Sequence, residues 1–235
     1  KLIQALAINN GIPRSEIEQY LDLVAISICA DIVEIKGENR ILTYYGLKKL
    51  NQNLRPGIQA ILKLSGMTKE DGTANRELTV TDIVFSIAPR INAAGRIESG
   101  NQAVALLIAT KAEDAAIKGD DINDHNTTRK ELDTLTTEQA LQQITDDEEF
   151  HTRKSTIVFQ PDWHKGVIGI VASRLTEKFY RPTIVLTQTN GHVAGSARSI
   201  KDFDIYNAIE ACSDLLDQFG GHMYAAGLTM KAENV

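Results

Sequence analysis

The residues able to do chemistry gather in a few short, small-residue runs. Gly220-Gly221-His222-Met223-Tyr224-Ala225-Ala226-Gly227 surrounds one histidine with three glycines and two alanines. So little side-chain bulk lets a ligand approach backbone amides, and the run reads either as an anion pocket or as a tightly packed turn. In the first case His222 could donate a charge-assisted hydrogen bond to a phosphate oxygen, or exchange protons near neutral pH. Gly195-Ser196-Ala197-Arg198-Ser199 combines two hydroxyls and a guanidinium at a turn or strand end, the donor set a terminal phosphate needs. Trp163-His164-Lys165-Gly166 precedes a predicted helix, at the end whose free amides stabilise phosphate or carboxylate. The plainer alternative is that Trp163 packs and His164 caps.

Three further groups are weaker. Pro89-Arg90-Ile91-Asn92-Ala93-Ala94-Gly95-Arg96 places two arginines around small residues, suited to lining a cleft or simply to solvation. Asp31 ends the apolar run 26–30, where a carboxylate serves as a metal ligand or, more plainly, as a cap. Asp124-His125-Asn126 has the look of a metal pair, but lies in an acidic helical stretch and reads as a solvated helix face. His151 and His192 have no partner evident from the sequence.

These groups need elements to position them. The 235-residue chain is 43% apolar and 24% charged, enough for one large core or two modest ones, which excludes disorder, collagen-like repeats and coiled coil. Cys29 and Cys212 form no CxxC pair and fit a reducing compartment. No eighteen-residue uncharged apolar stretch and no signal-peptide core occur, so a soluble, cytoplasmic protein without a membrane partner is expected. The opening residues lack a Met and read as helix interior, as in a fragment of something longer.

The net charge of −6 argues against a uniformly basic coat, but it is unevenly spread. Lys111–Glu149 holds four basic and twelve acidic residues, net −8, leaving net +2 elsewhere. Such a segment is a solvated helical face, or one that repels phosphate toward other surfaces.

Periodicity predicts helices at 2–9, 15–29, 38–50, 56–64 and 101–108, and a long one from 111 to about 144. The stretch 21–28 could instead be a buried strand. Thr79 is a plausible cap for a helix through Ile87, and 66–77 is a loop. After Arg153 the pattern changes to strands at 155–160, 183–187, 192–199 and 227–230, with helices at 166–180 and 204–211. The fold class is therefore α/β in its second half: a mainly helical unit at 1–108, a connecting helix at 109–149 and an α/β unit at 150–235.

In this order the motifs Ala30-Asp31-Ile32-Val33, Gly37-Glu38-Asn39-Arg40, PRINAAGR at 89–96, WHKGVIGIVASRL at 163–175, GSARS at 195–199 and GGHMYAAG at 220–227 are far more specific than any one alone. They resemble the RecJ family of single-strand-specific 5′-to-3′ DNA exonucleases within the DHH phosphoesterases. The resemblance implies that 1–108 is the C-terminal portion of a DHH catalytic domain, 109–149 the connecting helix, and 150–235 a DHH-associated substrate-binding domain with a mixed sheet, truncated at its C-terminus.

The same resemblance makes Asp31 a Mn²⁺ or Mg²⁺ ligand. It makes Ser196, Arg198, Gly220 and Gly221 receivers of the 5′-terminal phosphate and His222 a catalytic-site residue. Arg90, Asn92, Arg96 and His164 become nucleic-acid contacts. The family's aspartate runs and its Asp-His-His triplet have no counterpart in this sequence. Two-metal hydrolysis needs several such ligands, so this chain is expected to bind single-stranded DNA while being inactive alone. Repair proteins such as a single-strand-binding protein or a helicase are the implied partners. With only Trp163, Tyr224 and Phe203 near the motifs, backbone contacts are expected to dominate binding. Two other readings stay open: an oligoribonucleotide or cyclic-dinucleotide phosphodiesterase of the same superfamily, and a non-catalytic nucleic-acid-binding module.

Overall fold

A computed structural model describes residues 2–31 and 33–235; Lys1 and Ile32, the latter inside the Ala30–Val33 motif, lie outside the described residues. The chain divides into two compact units, one ending at Thr127 and the other spanning Thr128–Val235.

The first unit is helical: α1 (Leu2–Asn10), α2 (Arg14–Glu18), α3 (Leu21–Ala30), α4 (Gly37–Gln52), α5 (Pro56–Leu64), α6 (Val80–Asp82), a π-helical turn (Ile83–Ile87), α7 (Ala88–Ile97), α8 (Gly100–Leu107) and the opening part of α9 (Ala112–Asp146). Ile26, Leu50, Ile58, Ile61, Ile83, Ile87, Leu106 and Ile122 form its core.

Two helix boundaries differ from expectation. The helix expected over 15–29 is broken between Glu18 and Leu21. Arg55 donates to the Gln19 carbonyl at 2.5 Å and to both oxygens of buried Asp22, engaging a carbonyl that a continuous helix would use. Residues 21–28 are helical, which settles the strand alternative. The helix expected to stop at Ile87 runs on through Pro89 to Ile97. A proline ring collides with the carbonyl four residues back in a regular helix; here the preceding turn is widened, with the Ala88 amide bonding to the Ile83 carbonyl. Thr79 caps as expected, in a reciprocal capping box with Asp82.

The second unit carries the later part of α9, β1 (Thr156–Phe159), α10 (Ile168–Phe179), β2 (Thr183–Thr189), β3 (His192–Arg198), α11 (Ile205–Glu210), β4 (Gln218–His222) and β5 (Ala225–Lys231). The sheet order is β1-β2-β3-β5-β4, with β1 parallel to β2 and the other pairs antiparallel, so the sheet is mixed as expected. Asn190 and Gly191, both at positive φ, make the tight β2–β3 turn. One apolar cluster joins Ala140 and Ile144 of α9 to α10, Val158 and Val185. The other joins Val193, Ala197 and Leu228 to Ile205 and Ile209 of α11. The run 218–231 was expected to hold one strand and holds two, because glycines, which strands disfavour, mask β4. Among the described residues no helix is long and apolar enough to cross a membrane.

Candidate phosphate site

Strand register decides which side chains share a surface, because directly paired residues point to the same face. One row across the sheet runs Val185, Ser196, Gly227, Gly220; the next runs Thr183, Arg198, Ala225, His222. Ser196, Arg198, Gly220 and His222 therefore lie on one face. Val185 on that face packs with α10, but Gly220, His222 and Gly227 are exposed. Glycine and alanine between Arg198 and His222 leave an open floor two strands wide, about 10 Å from Cα to Cα.

The Arg198 guanidinium donates through Nη1 to Ser196 Oγ at 3.0 Å and to the Ala197 carbonyl at 2.8 Å. Both groups reach the first turn of α10, where a Cβ on Gly169 would stand 3.0 Å from Ser196 Oγ and 3.1 Å from Arg198 Nη2. No side chain caps the start of α10 and its first turn has no acidic residue. The guanidinium thus lies beside the positive end of a helix dipole, and the two add positive potential at one place on the surface, where an anion would be stabilised. Gly169 was not singled out from the sequence. Its signal was a glycine early in a helix, where it is less favourable than alanine by about 1 kcal/mol.

His222 Nδ1 accepts the Tyr224 amide at 3.2 Å, which assigns the proton of the neutral ring to Nε2. His164 repeats the device, its Nδ1 accepting the Gly166 amide at 3.0 Å. Gly221 does not share the face of Gly220 and His222: it pairs with Ala226 in the alternate row. Its φ is 153°, and a Cβ there would lie 2.3 Å from the Ala225 carbonyl oxygen, so its glycine is a requirement of backbone shape. The small-residue run is thus a strand pair joined at Met223-Tyr224 rather than a continuous turn. Trp163 is buried, donating from its indole to Gln139 Oε1 at 2.7 Å, and offers no stacking surface.

The remaining predicted residues lie in the first unit. Asp31 is exposed at the carboxyl end of α3. Arg90 is half-buried, donating to Asn123 Oδ1 at 3.2 Å and to the Ser86 carbonyl at 2.9 Å, and burial lowers its pKa. Asn92 and Arg96 are exposed one turn apart on α7, on another face from Arg90, so the two arginines do not line one surface. The stretch 124–126 is not a solvated face throughout, since Asn126 is buried and His125 Nε2 lies 3.2 Å from Glu98 Oε2. His192 has a partner, Asp217, at 3.0 Å.

Among the described residues no three His, Cys, Asp or Glu side chains gather to hold a metal ion, so the residues present do not build a Mn²⁺ or Mg²⁺ centre.

Comparison with known proteins accords with the motifs. Residues 153–235 match the DHHA1 domain family. The single-stranded-DNA-specific exonuclease RecJ of Bacillus subtilis is 38% identical over 93% of this chain, which spans 27% of that protein. RecJ of Escherichia coli is 34% identical over 96% of the chain, which spans 39% of it. The crystal structure of RecJ from Thermus thermophilus in complex with Mg²⁺ superposes with a TM-score of 0.82 at 31% identity, covering 97% of this chain and 34% of that one. The Mn²⁺ complex gives the same TM-score. The chain therefore corresponds to less than half the length of these RecJ proteins, and its likeness to RecJ and its α/β fold are as the motifs imply.

Proposed function

We propose that this chain, similar to RecJ along most of its length and carrying a DHHA1 domain, is the end-recognising part of an exonuclease. The whole protein would hydrolyse single-stranded DNA from the 5′ end in repair and recombination. The observation that carries the reading is the convergence of Arg198, Ser196 and the uncapped amide end of α10 around Gly169. Such a cluster binds a phosphate monoester better than a diester, because a terminal phosphate brings more charge and more acceptor oxygens. Directional degradation needs that preference. His222, exposed on the same sheet face with Nδ1 taken by the Tyr224 amide, would donate from Nε2–H to the next phosphate along. Gly220 supplies clearance for the strand.

Relatives named as single-stranded-DNA-specific exonucleases favour this reading over a dinucleotide phosphodiesterase or a purely binding module. Divalent metal of the kind held by the Thermus RecJ crystals would serve the intact enzyme, with Asp31 as one ligand. No hydrolytic step is assigned to residues of this chain, which should bind without cutting. Asn92 and Arg96 are offered as strand contacts from the first unit and His164 from the second. Arg90 serves less directly because two of its donors are already used. The cytoplasm is the proposed location, and a single-strand-binding protein or a helicase the proposed partner.

Arg198→Ala tests the site. Affinity for a 5′-phosphorylated oligodeoxynucleotide, read by fluorescence anisotropy, should fall about 10- to 100-fold, as expected for a lost hydrogen bond to a charged group. Affinity for its 5′-hydroxyl counterpart should change much less. Equal losses on both would reject the assignment.

A further inference from the structure

We infer that Tyr224 is a base-stacking residue that receives the first nucleobase of the strand whose 5′-phosphate sits at Ser196 and Arg198. The inference rests on the phosphate site proposed above. Tyr224 is 48% exposed although it belongs to a tight strand connection. Its backbone is held on both sides: its amide donates to His222 Nδ1 at 3.2 Å, and its carbonyl accepts from the amide of Ser199, the residue after Arg198, at 3.0 Å. The neighbouring Met223 carbonyl accepts from the Ile205 amide at 3.1 Å. An exposed aromatic ring on so fixed a stem loses little freedom when a flat ligand settles on it.

Its position suits a nucleoside. The ring stands edge-to-face against His222, with centroids 6.4 Å apart. It is rooted opposite the residue next to Arg198, at the rim of the glycine floor. A nucleotide whose phosphate is gripped by Arg198 must send its base outward from that floor, and at this end of the floor Tyr224 is an exposed aromatic face. Trp163, the largest aromatic near the motifs, is buried and committed to Gln139. Stacking is indifferent to base identity, since every base has a π-face, so it suits an enzyme that removes nucleotides of any sequence.

The test compares 5′-phosphorylated oligodeoxynucleotides that carry either a base or an abasic residue at the first position, titrated against the full chain. The abasic end should weaken binding about 5-fold or more, the lower range for a lost base–aromatic stack. Tyr224→Ala should bind both oligonucleotides equally, at the weaker level, while Tyr224→Phe retains the difference and shows that the loop still folds. A 2-aminopurine at the first position should be quenched by the unmodified chain and by Tyr224→Phe but not by Tyr224→Ala. An abasic penalty that is absent from the unmodified chain, or unchanged in Tyr224→Ala, overturns the inference. The preference for 5′-phosphate over 5′-hydroxyl is read from the same titrations. If it is missing from the unmodified chain, the phosphate site itself fails; if it persists in Tyr224→Ala while the abasic penalty does not change, only the stacking role does.

Discussion

Arg198 illustrates how one side chain gains meaning from its surroundings. On a free surface a guanidinium is solvated and uninformative, whereas here it meets a hydroxyl and a helix end that approaches closely because residue 169 has no side chain. Gly169→Ala isolates that last feature. The added methyl must push Ser196 Oγ and Arg198 Nη2 back by a few tenths of an ångström, while alanine is the better helix former by about 1 kcal/mol. The expected outcome is a loss of 5′-phosphate preference with no fall in melting temperature, measured by paired anisotropy and thermal unfolding. A variant that keeps its preference would detach Gly169 from the site.

At the scale of elements, the turn that starts α6 carries a pH-dependent contribution. Arg76 donates to both oxygens of Asp82, at 2.8 and 2.5 Å, and Thr79 adds two more hydrogen bonds. These partners outweigh burial and lower the Asp82 pKa to about 2, from an ordinary 3.8. A carboxyl with a depressed folded pKa stabilises the fold above its unfolded pKa, and the contribution disappears as pH falls from about 4 to about 2. Because Arg76 is more than half exposed, solvent screening weakens the effect. Arg76→Ala should therefore be less stable than the parent in urea at pH 7 and nearly equal to it at pH 2. A constant difference across that range would mean that Arg76 acts through packing.

For the whole molecule, the division between compact units falls inside α9 rather than at either of its ends. Beyond Thr127 this helix is bound to the α/β unit. Asp133 accepts both Arg174 nitrogens at 2.9 Å, Gln139 accepts from Trp163, and Gln143 donates to the Phe159 carbonyl at 3.0 Å, while Ala140 and Ile144 enter the core. A polypeptide of residues 128–235 should fold by itself with a cooperative melt. One of residues 150–235 should melt about 10 °C lower or fail to fold, since losing a buried isoleucine and its neighbours removes several kcal/mol, at about 4–8 °C per kcal/mol. Equal melting temperatures would make α9 a mere tether.

Sequence alone determined the motif order and with it the likeness to RecJ, the alternation of β-branched runs with an amphipathic helix after residue 153, and the long uninterrupted α9. These are legible because each depends on local propensity or on the period of a single element. Tertiary structure alone decided that Ser196, Arg198, Gly220 and His222 share a face and that Gly221 does not, because register between β3, β5 and β4 is set by pairing over long sequence separations. It also decided that Arg90 turns toward Asn123, that Trp163 is buried, and that Gly169 lies against Ser196 and Arg198. A side chain's partners come from other elements, and the spacing of residues along one strand or helix carries no information about which element will lie across from it.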